Sequence, residues 1–458
     1  MASFSTPQGY TRTDAASTPR TRTGLSAEGA RAKSAPEDPL VEALLQQELS
    51  LDDWATYEVE DDASLQRSAS ARSTSSEPTG NDLTIDVDLA EGEGAIVLIE
   101  KDEEYTWVLN PDLTSTPKKR TRGTTDATRS TVQFRVPIEG PGTRSGARGR
   151  GGFLPKRLVS FVFKFAARVT AKYAMKVMER HIQPGLVVLS PQRLAKDPPD
   201  ALFDAEQWTA LPNPASLTLP KGRAPKVLLF VHGTFSSTAG SFGALGQTTW
   251  GRAVLTEAAK NYDLILGFDH KTMSEDPMDN ALLLERGLRS IAWDPKRPAV
   301  FDAVAFSRGG LVLRSLIERV LPGTTLPLSF KSGILVGATN GGTYLAEPDN
   351  WKTFVDFYTN LVQGAAKFLS FIGVAAGPTG ILAGLVRALG SFVKYLAIVA
   401  VEERAIPGLA AMEPGGEFVT MLNRDNDGQP TPRELAYYAI TSDFEYRSST
   451  TRKSGLSE

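Results

Sequence analysis

An α/β domain with a mainly parallel sheet, preceded by a small all-β module, is the fold class predicted for this chain, and three observations predict it. From residue 226 onward, apolar runs at 227–231, 263–268, 299–306, 332–336 and 435–440 alternate with helical stretches, the pattern of strands joined by crossover helices. The run Val227-Leu228-Leu229-Phe230-Val231 is apolar at every position, as expected of a central parallel strand buried on both faces. Upstream, residues 83–89, 94–99, 105–109 and 131–137 are β-branched or aromatic in alternation, with turn residues between them, which predicts a separate set of strands.

Taken in order, residues 1–80 are rich in Ser, Thr, Ala, Arg and Pro and poor in bulky apolar side chains. Such a stretch buries too little surface to offset its ordering entropy and is expected to be a disordered arm. Within it, Val41, Leu44, Leu45 and Leu49 follow helical spacing across 39–54, which predicts a short helix. The β module is expected over 81–140, followed by a basic, Gly-rich linker over 141–153 that carries Arg144, Arg148 and Arg150. Residues 154–222 are expected to hold a basic amphipathic helix and a connection. Over 154–181, Lys156, Arg157, Lys164, Arg168, Lys172 and Lys176 lie beside Leu158, Phe161, Phe163, Val169 and Met175. Such a helix either packs with a solvated cationic face or lies on a membrane surface.

Residues 223–458 are assigned to the α/β domain, with a helical cap at about 344–405. The cap expectation rests on the strongly apolar stretch 361–401, broken at Gly377-Pro378. Its second half, 380–401, has the length of a bilayer span but carries Arg387 and Lys394. Charges at mid-depth cost about 2.5–3.5 kcal/mol each on insertion scales, so buried or lid helices are the favoured reading.

Composition excludes several function classes. The chain has 458 residues and no cysteine, which removes disulfides, metal-thiolate sites and cysteine nucleophiles and fits a reducing, cytoplasmic setting. A net charge of −3 gives no overall attraction to nucleic acid or anionic membranes, and the first thirty residues hold no apolar run of signal-peptide length. No metal-ligand cluster or phosphate-binding loop is evident, so no cofactor and no metal are expected. Histidine is scarce: His181, His232 and His270 are the only three, and any acid–base chemistry by imidazole must draw on them.

The strongest chemical feature is Phe301-Asp302-Ala303-Val304-Ala305-Phe306-Ser307-Arg308-Gly309-Gly310, followed by a helical run. A nucleophile elbow places a serine in a tight turn between strand and helix, so that its hydroxyl projects above the sheet. Small residues two before and two after the serine let strand and helix approach closely. Gly309 fills the second of these positions and Ala305 replaces glycine at the first. The bland alternative is an ordinary strand–helix turn. A second feature favours the elbow: the strand 227–231 runs into His232-Gly233-Thr234. A loop in that place supplies one oxyanion-hole donor, and the residue after the nucleophile supplies the other, which assigns the hole to the backbone N–H groups of Thr234 and Arg308. His232 and Gly233 are read as shaping this loop.

On these residues, and on Gly337-Ala338-Thr339-Asn340-Gly341-Gly342-Thr343, the chain resembles the α/β-hydrolase superfamily, lipase and esterase type, over about 220–446. The Ser-Arg-Gly-Gly elbow, Phe268-Asp269-His270-Lys271-Thr272 and Pro407-Gly408-Leu409-Ala410-Ala411-Met412 are similar to bacterial hydrolase-like domains, some of which accompany CHAT modules. The resemblance implies a serine esterase, lipase or thioesterase acting on a small acyl or apolar substrate through Ser307.

In that superfamily the chain order is serine, acid, histidine. Asp443, just beyond the strand expected at 435–440, is the best-placed acid, although a turn-capping aspartate would look the same. No histidine follows His270, so the last strand and its catalytic loop are expected to be missing. Three accounts stay open: a fragment whose remaining segment lies elsewhere, a catalytically silent interaction or signalling module with a protein partner, or an unconventional base in His270. A structural or substrate-contacting His270 is the simpler alternative, and His181 reads as compensating a helix C-terminus.

Overall fold

A computed structural model describes residues 2–5, 10–12, 39–45, 49–59, 82–90, 92–101, 104–109, 130–137, 157–166, 179, 182–189, 208–211, 213–243, 245, 248–371, 380–398, 406–424 and 435–441. The chain divides into two units. One comprises Met1–Ala174, Tyr358–Gly377 and Gly390–Arg404; the other comprises Met175–Phe357, Pro378–Leu389 and Ala405–Glu458.

The first unit is built on strands β1 (Ala2–Ser5), β2 (Tyr10–Arg12), β3 (Ser50–Val59), β4 (Asp82–Leu89), β5 (Glu93–Lys101), β6 (Glu104–Val108), β7 (Ser130–Pro137) and β8 (Arg157–Ala166). They form two antiparallel sheets, ordered β1-β4-β7 and β2-β3-β8-β5-β6. In β4, Leu83, Ile85 and Val87 are fully buried while Thr84, Asp86 and Asp88 alternate with them, the period-two pattern of a strand with one face on a core. That core is shared by both sheets: Ile85 and Phe134 from one meet Tyr57, Val97 and Val162 from the other. Edge strand β6 is closed by helical residues, since Asn360 accepts from the Tyr105 N–H and donates to its carbonyl, both at 2.8 Å. The Trp107 indole N–H donates to Thr359 Oγ1 at 2.8 Å.

Three expectations need correction. The predicted arm contributes strands β1, β2 and β3, with the short helix confined to Pro39–Leu45; the rest of 1–80 lies outside the described residues. The stretch read as a basic amphipathic helix contains β8, paired antiparallel with both β3 and β5. Leu158, Val159, Phe161, Val162 and Phe163 are all at most 1% exposed, so this segment is apolar on two faces, which suits a central strand and not a one-faced helix. The β module therefore reaches beyond 81–140 on both sides. Residues 138–156, including the expected linker, and His181 lie outside the described residues.

The second unit holds a seven-stranded sheet. Its strands are β9 (Gly185–Leu189), β10 (Thr209–Ala210), β11 (Lys226–Val231), β12 (Leu264–Asp269), β13 (Ala299–Phe306), β14 (Leu328–Val336) and β15 (Ala436–Ile440), ordered β10-β9-β12-β11-β13-β14-β15. β12, β11, β13, β14 and β15 are parallel, and β9 and β10 add an antiparallel edge. Val227, Leu229 and Val231 of β11 face one core with Leu284 and Leu288 of the helix Pro277–Arg289. Leu228 and Phe230 face a second core with Phe242 and Leu255. Burial on both faces explains the unbroken apolar run, and each such side chain contributes about 1.5–3 kcal/mol.

The chain runs from β11 to β12 on one side, then crosses to β13 on the other. Strand order thus reverses at β11, and the crevice beyond the carboxyl ends of β11 and β13 is where open α/β sheets bind ligands. The expected cap contains the helices Trp351–Phe371 and Gly380–Ile398, but 358–377 and 390–404 group with the β unit instead of the sheet. Among the described residues no helix is long and apolar enough to cross a membrane.

Candidate active site

The carboxyl ends of β11, β12 and β13 deliver His232, His270 and Ser307 to the same edge of the sheet, with Val231 in register with both Phe268 and Ala305. Ser307 sits between β13 and the helix Gly309–Arg314 with φ of +53°. An L-residue pays about 1–2 kcal/mol for this left-handed conformation, a strain that clusters at functional sites. The turn is held at both ends: the Ser307 N–H donates to the Val336 carbonyl at 2.9 Å, and its carbonyl accepts from the Gly310 N–H at 3.0 Å.

Glycine sterics set how closely the loops meet. A Cβ on Gly233 would lie 2.8 Å from Ser307 Cβ, so the loop after β11 abuts the serine turn directly. A Cβ on Gly309 would lie 2.4 Å from the Val231 carbonyl oxygen and 2.6 Å from that of His232. Both are main-chain atoms and cannot rotate away. Gly309→Ala is therefore expected to lower stability by about 1–3 kcal/mol, read as a lower urea midpoint; an unchanged midpoint would contradict this packing.

Beyond Gly233 the chain turns sharply at Phe235, which has φ of +59°. Thr234 is 4% exposed, and its hydroxyl donates to the Met412 sulfur at 3.9 Å. Among the described residues the backbone N–H groups of Thr234 and Arg308 take part in no hydrogen bond, whereas the Phe235 N–H donates to Thr272 Oγ1 at 3.1 Å.

His232 and His270 are fully buried and stack on each other at 4.0 Å between ring centroids. Phe268 stacks on the other side of His270 at 5.1 Å. His232 Nε2 accepts the His270 backbone N–H at 3.1 Å, so in the neutral ring the proton sits on Nδ1 and is donated to the Gly233 carbonyl at 2.9 Å. Burial depresses the His232 pKa; Asp269, at 4.0 Å from Nε2, opposes this. His270 is held well below the usual histidine range by burial, then by His232 and Arg308. Among the described residues its buried Nε2 has no hydrogen-bond partner. Among the described residues, neither ring is hydrogen-bonded to Ser307. Asp443 lies outside the described residues.

Two parts of the site escape sequence reasoning. The Arg308 side chain is fully buried: Nη1 donates to Asn280 Oδ1 at 2.9 Å and Nη2 to the Glu275 carbonyl at 2.6 Å. Burial lowers its pKa to about 10 against the pull of Glu179, Asp276 and Glu275, so it stays a cation at neutral pH. Glu179, 2% exposed, gathers the turn after His270, accepting from the backbone N–H groups of Thr272, Met273 and Ser274 and from two hydroxyls. No local pattern marks either group, since their partners lie 28 to 95 residues away.

Fold and site together define a mixed α/β protein with a parallel-rich sheet and a left-handed serine at a strand–helix turn where the strand order reverses. The chain belongs to the family described as a domain of unknown function (DUF7379), which matches residues 199–457. A second family, also described as a domain of unknown function (DUF7362), matches residues 2–151. No curated protein matches the chain. Among solved structures, phospholipase PlaB from Legionella pneumophila is 15% identical over 47% of this chain and 38% of its own, with a TM-score of 0.28. MenH from S. aureus is 14% identical over 49% of this chain and 87% of its own, with a TM-score of 0.25. An esterase from Thermogutta terrifontis is 14% identical over 48% of this chain and 82% of its own, with a TM-score of 0.25. The matched region thus spans well under half of the phospholipase.

Proposed function

We propose that the second unit is a serine hydrolase of the α/β-hydrolase type that cleaves an ester or thioester of a small acyl or apolar substrate. The observation that carries this reading is the left-handed Ser307 directly against the loop after Gly233, with the N–H groups of Thr234 and Arg308 unspent among the described residues. Ser307 Oγ attacks the acyl carbon while its proton passes to a base. The Thr234 and Arg308 N–H groups hold the carbonyl oxygen as it becomes an oxyanion, each donor contributing a rate factor of about 10²–10³. The tetrahedral intermediate expels the alcohol or thiol, which takes up the proton, and water then releases the acid from the acyl-enzyme. Asp443 is the acid proposed from chain order, whereas His270, which precedes Ser307 in the chain, is proposed as an unconventional base. For His270 this requires its ring to leave the stack with His232, because a base must come within about 3 Å of the hydroxyl.

A second reading has its own observation. Both described histidines are buried in a stack and hydrogen-bonded away from Ser307, which is the arrangement of a catalytically silent module that binds a ligand or protein partner. A fluorophosphonate probe separates the two. Labelling of the wild type that disappears in Ser307→Ala is the expected result; a folded wild type that takes no label favours the silent module.

A further inference from the structure

Glu179 lies before the region matched by the first family yet makes one of the most concentrated polar contacts in the described chain. One carboxylate oxygen accepts from the Thr272 N–H, from Thr272 Oγ1 at 3.0 Å and from the Met273 N–H at 2.9 Å. The other accepts from the Ser274 N–H at 2.9 Å and Ser274 Oγ at 2.7 Å. A carboxylate is an acceptor only, so this single group fixes the polarity of three consecutive residues. The Thr272 hydroxyl has one proton and spends it on Glu179. Its oxygen is then left as an acceptor, and the Phe235 N–H donates to it.

Phe235 is the residue whose left-handed backbone turns the loop away just after Thr234. A bulky side chain resists that conformation, so the turn persists only when something holds it, and the bond to Thr272 does so from within a buried site.

We infer that Glu179, acting through Thr272, is a positioning residue that holds the Phe235 turn and thereby aims the Thr234 N–H at the reacting carbonyl oxygen. This rests on the hydrolase reading above and extends it: a residue from the segment preceding the family-matched region completes the oxyanion hole. Neither Glu179 nor Thr272 touches substrate; their effect is on where a donor points.

The test uses the full chain with Thr272→Val, which keeps the shape and removes the hydroxyl, Thr272→Ser, which restores it, and Glu179→Asp, which keeps the charge but shortens its reach. With p-nitrophenyl butyrate, Thr272→Val and Glu179→Asp are expected to lower kcat about 10- to 100-fold with KM within about threefold, while Thr272→Ser stays near wild type. Amide hydrogen exchange at Phe235 is expected to quicken at least about tenfold in the valine variant and not in the serine variant. A folded Thr272→Val with wild-type kcat overturns the proposal, as does unchanged exchange at Phe235. A loss shared equally by Thr272→Ser assigns Thr272 to packing alone and overturns it too. If the wild type neither labels with fluorophosphonate nor turns over the ester, the hydrolase reading fails and the catalytic role of Glu179 with it. Labelling by the wild type with no difference among the variants removes only the role given to Glu179.

Discussion

Replacing Arg308 by methionine is expected to lower the unfolding free energy by about 3–5 kcal/mol, the largest effect of any single substitution named for this chain. The guanidinium is fully buried and donates to Asn280 Oδ1 and the Glu275 carbonyl. Glu179, Asp276 and Glu275 all favour its charge. Methionine has a similar length, so little volume is lost. What changes is that one buried and one part-buried acceptor lose their donor and three carboxylates lose their cation, and a buried acceptor left unsatisfied costs about 1–3 kcal/mol by itself. Arg289 provides the contrast. Its side chain pairs with Glu285 at i,i+4 but is 51% exposed, so Arg289→Met should change stability by no more than about 0.5 kcal/mol. Urea unfolding followed by circular dichroism measures both. Equal losses from the two substitutions would show that Arg308 works as a surface cation.

The same comparison shows where the sequence speaks and where it is silent. The serine turn is legible because its determinants are local: an apolar strand, a serine, and glycines at positions where the structure leaves no room for a Cβ. The strand 227–231 is legible because burial on two faces leaves no polar position. Over Arg157–Ala166 the same signal is present, yet Lys156 and Lys164 at helical spacing draw the reading toward a helix. Five of the ten residues are β-branched or aromatic, a composition that suits a strand better. Within the expected arm, acidic residues obscure the strand Ser50–Val59, and one of them, Asp52, pairs with Lys164 of the neighbouring strand at 3.2 Å. Glu179 and the side chain of Arg308 are invisible to pattern, because what matters about them is a partner supplied by the fold. The helices of the expected cap show the same limit: their apolar length is plain, but whether residues such as Thr359 and Asn360 serve the α/β sheet or strand β6 depends on contacts some 250 residues apart.

Lowering the pH from 7.5 to 5.5 is expected to lower stability through the two stacked histidines. Both have pKa values depressed in the folded chain, chiefly by burial, with Arg308 adding repulsion and Asp269 only partly offsetting it at His232. Protonation of His232 would also cost it the bond from the His270 N–H, which needs an unprotonated Nε2. In the unfolded chain each ring takes up a proton below its ordinary value of about 6.5. The unfolded state then binds more protons than the native one, so stability is fully present above about pH 6.5 and falls as pH drops through it. Each histidine that stays neutral in the native state contributes a slope of about 1.4 kcal/mol per pH unit. Glu275, whose pKa burial raises, acts in the opposite sense at lower pH, which is why the window stops at 5.5. His270→Phe preserves a ring between Phe268 and His232 and removes one of the two titrating groups, so the drop should shrink. A stability that stays level from pH 7.5 to 5.5 would mean that these rings take up protons in the native chain as readily as in the unfolded one, and a charged His232 is incompatible with the hydrogen bond that orders the start of the loop beside Ser307; a drop untouched by His270→Phe would mean the same of His270 alone.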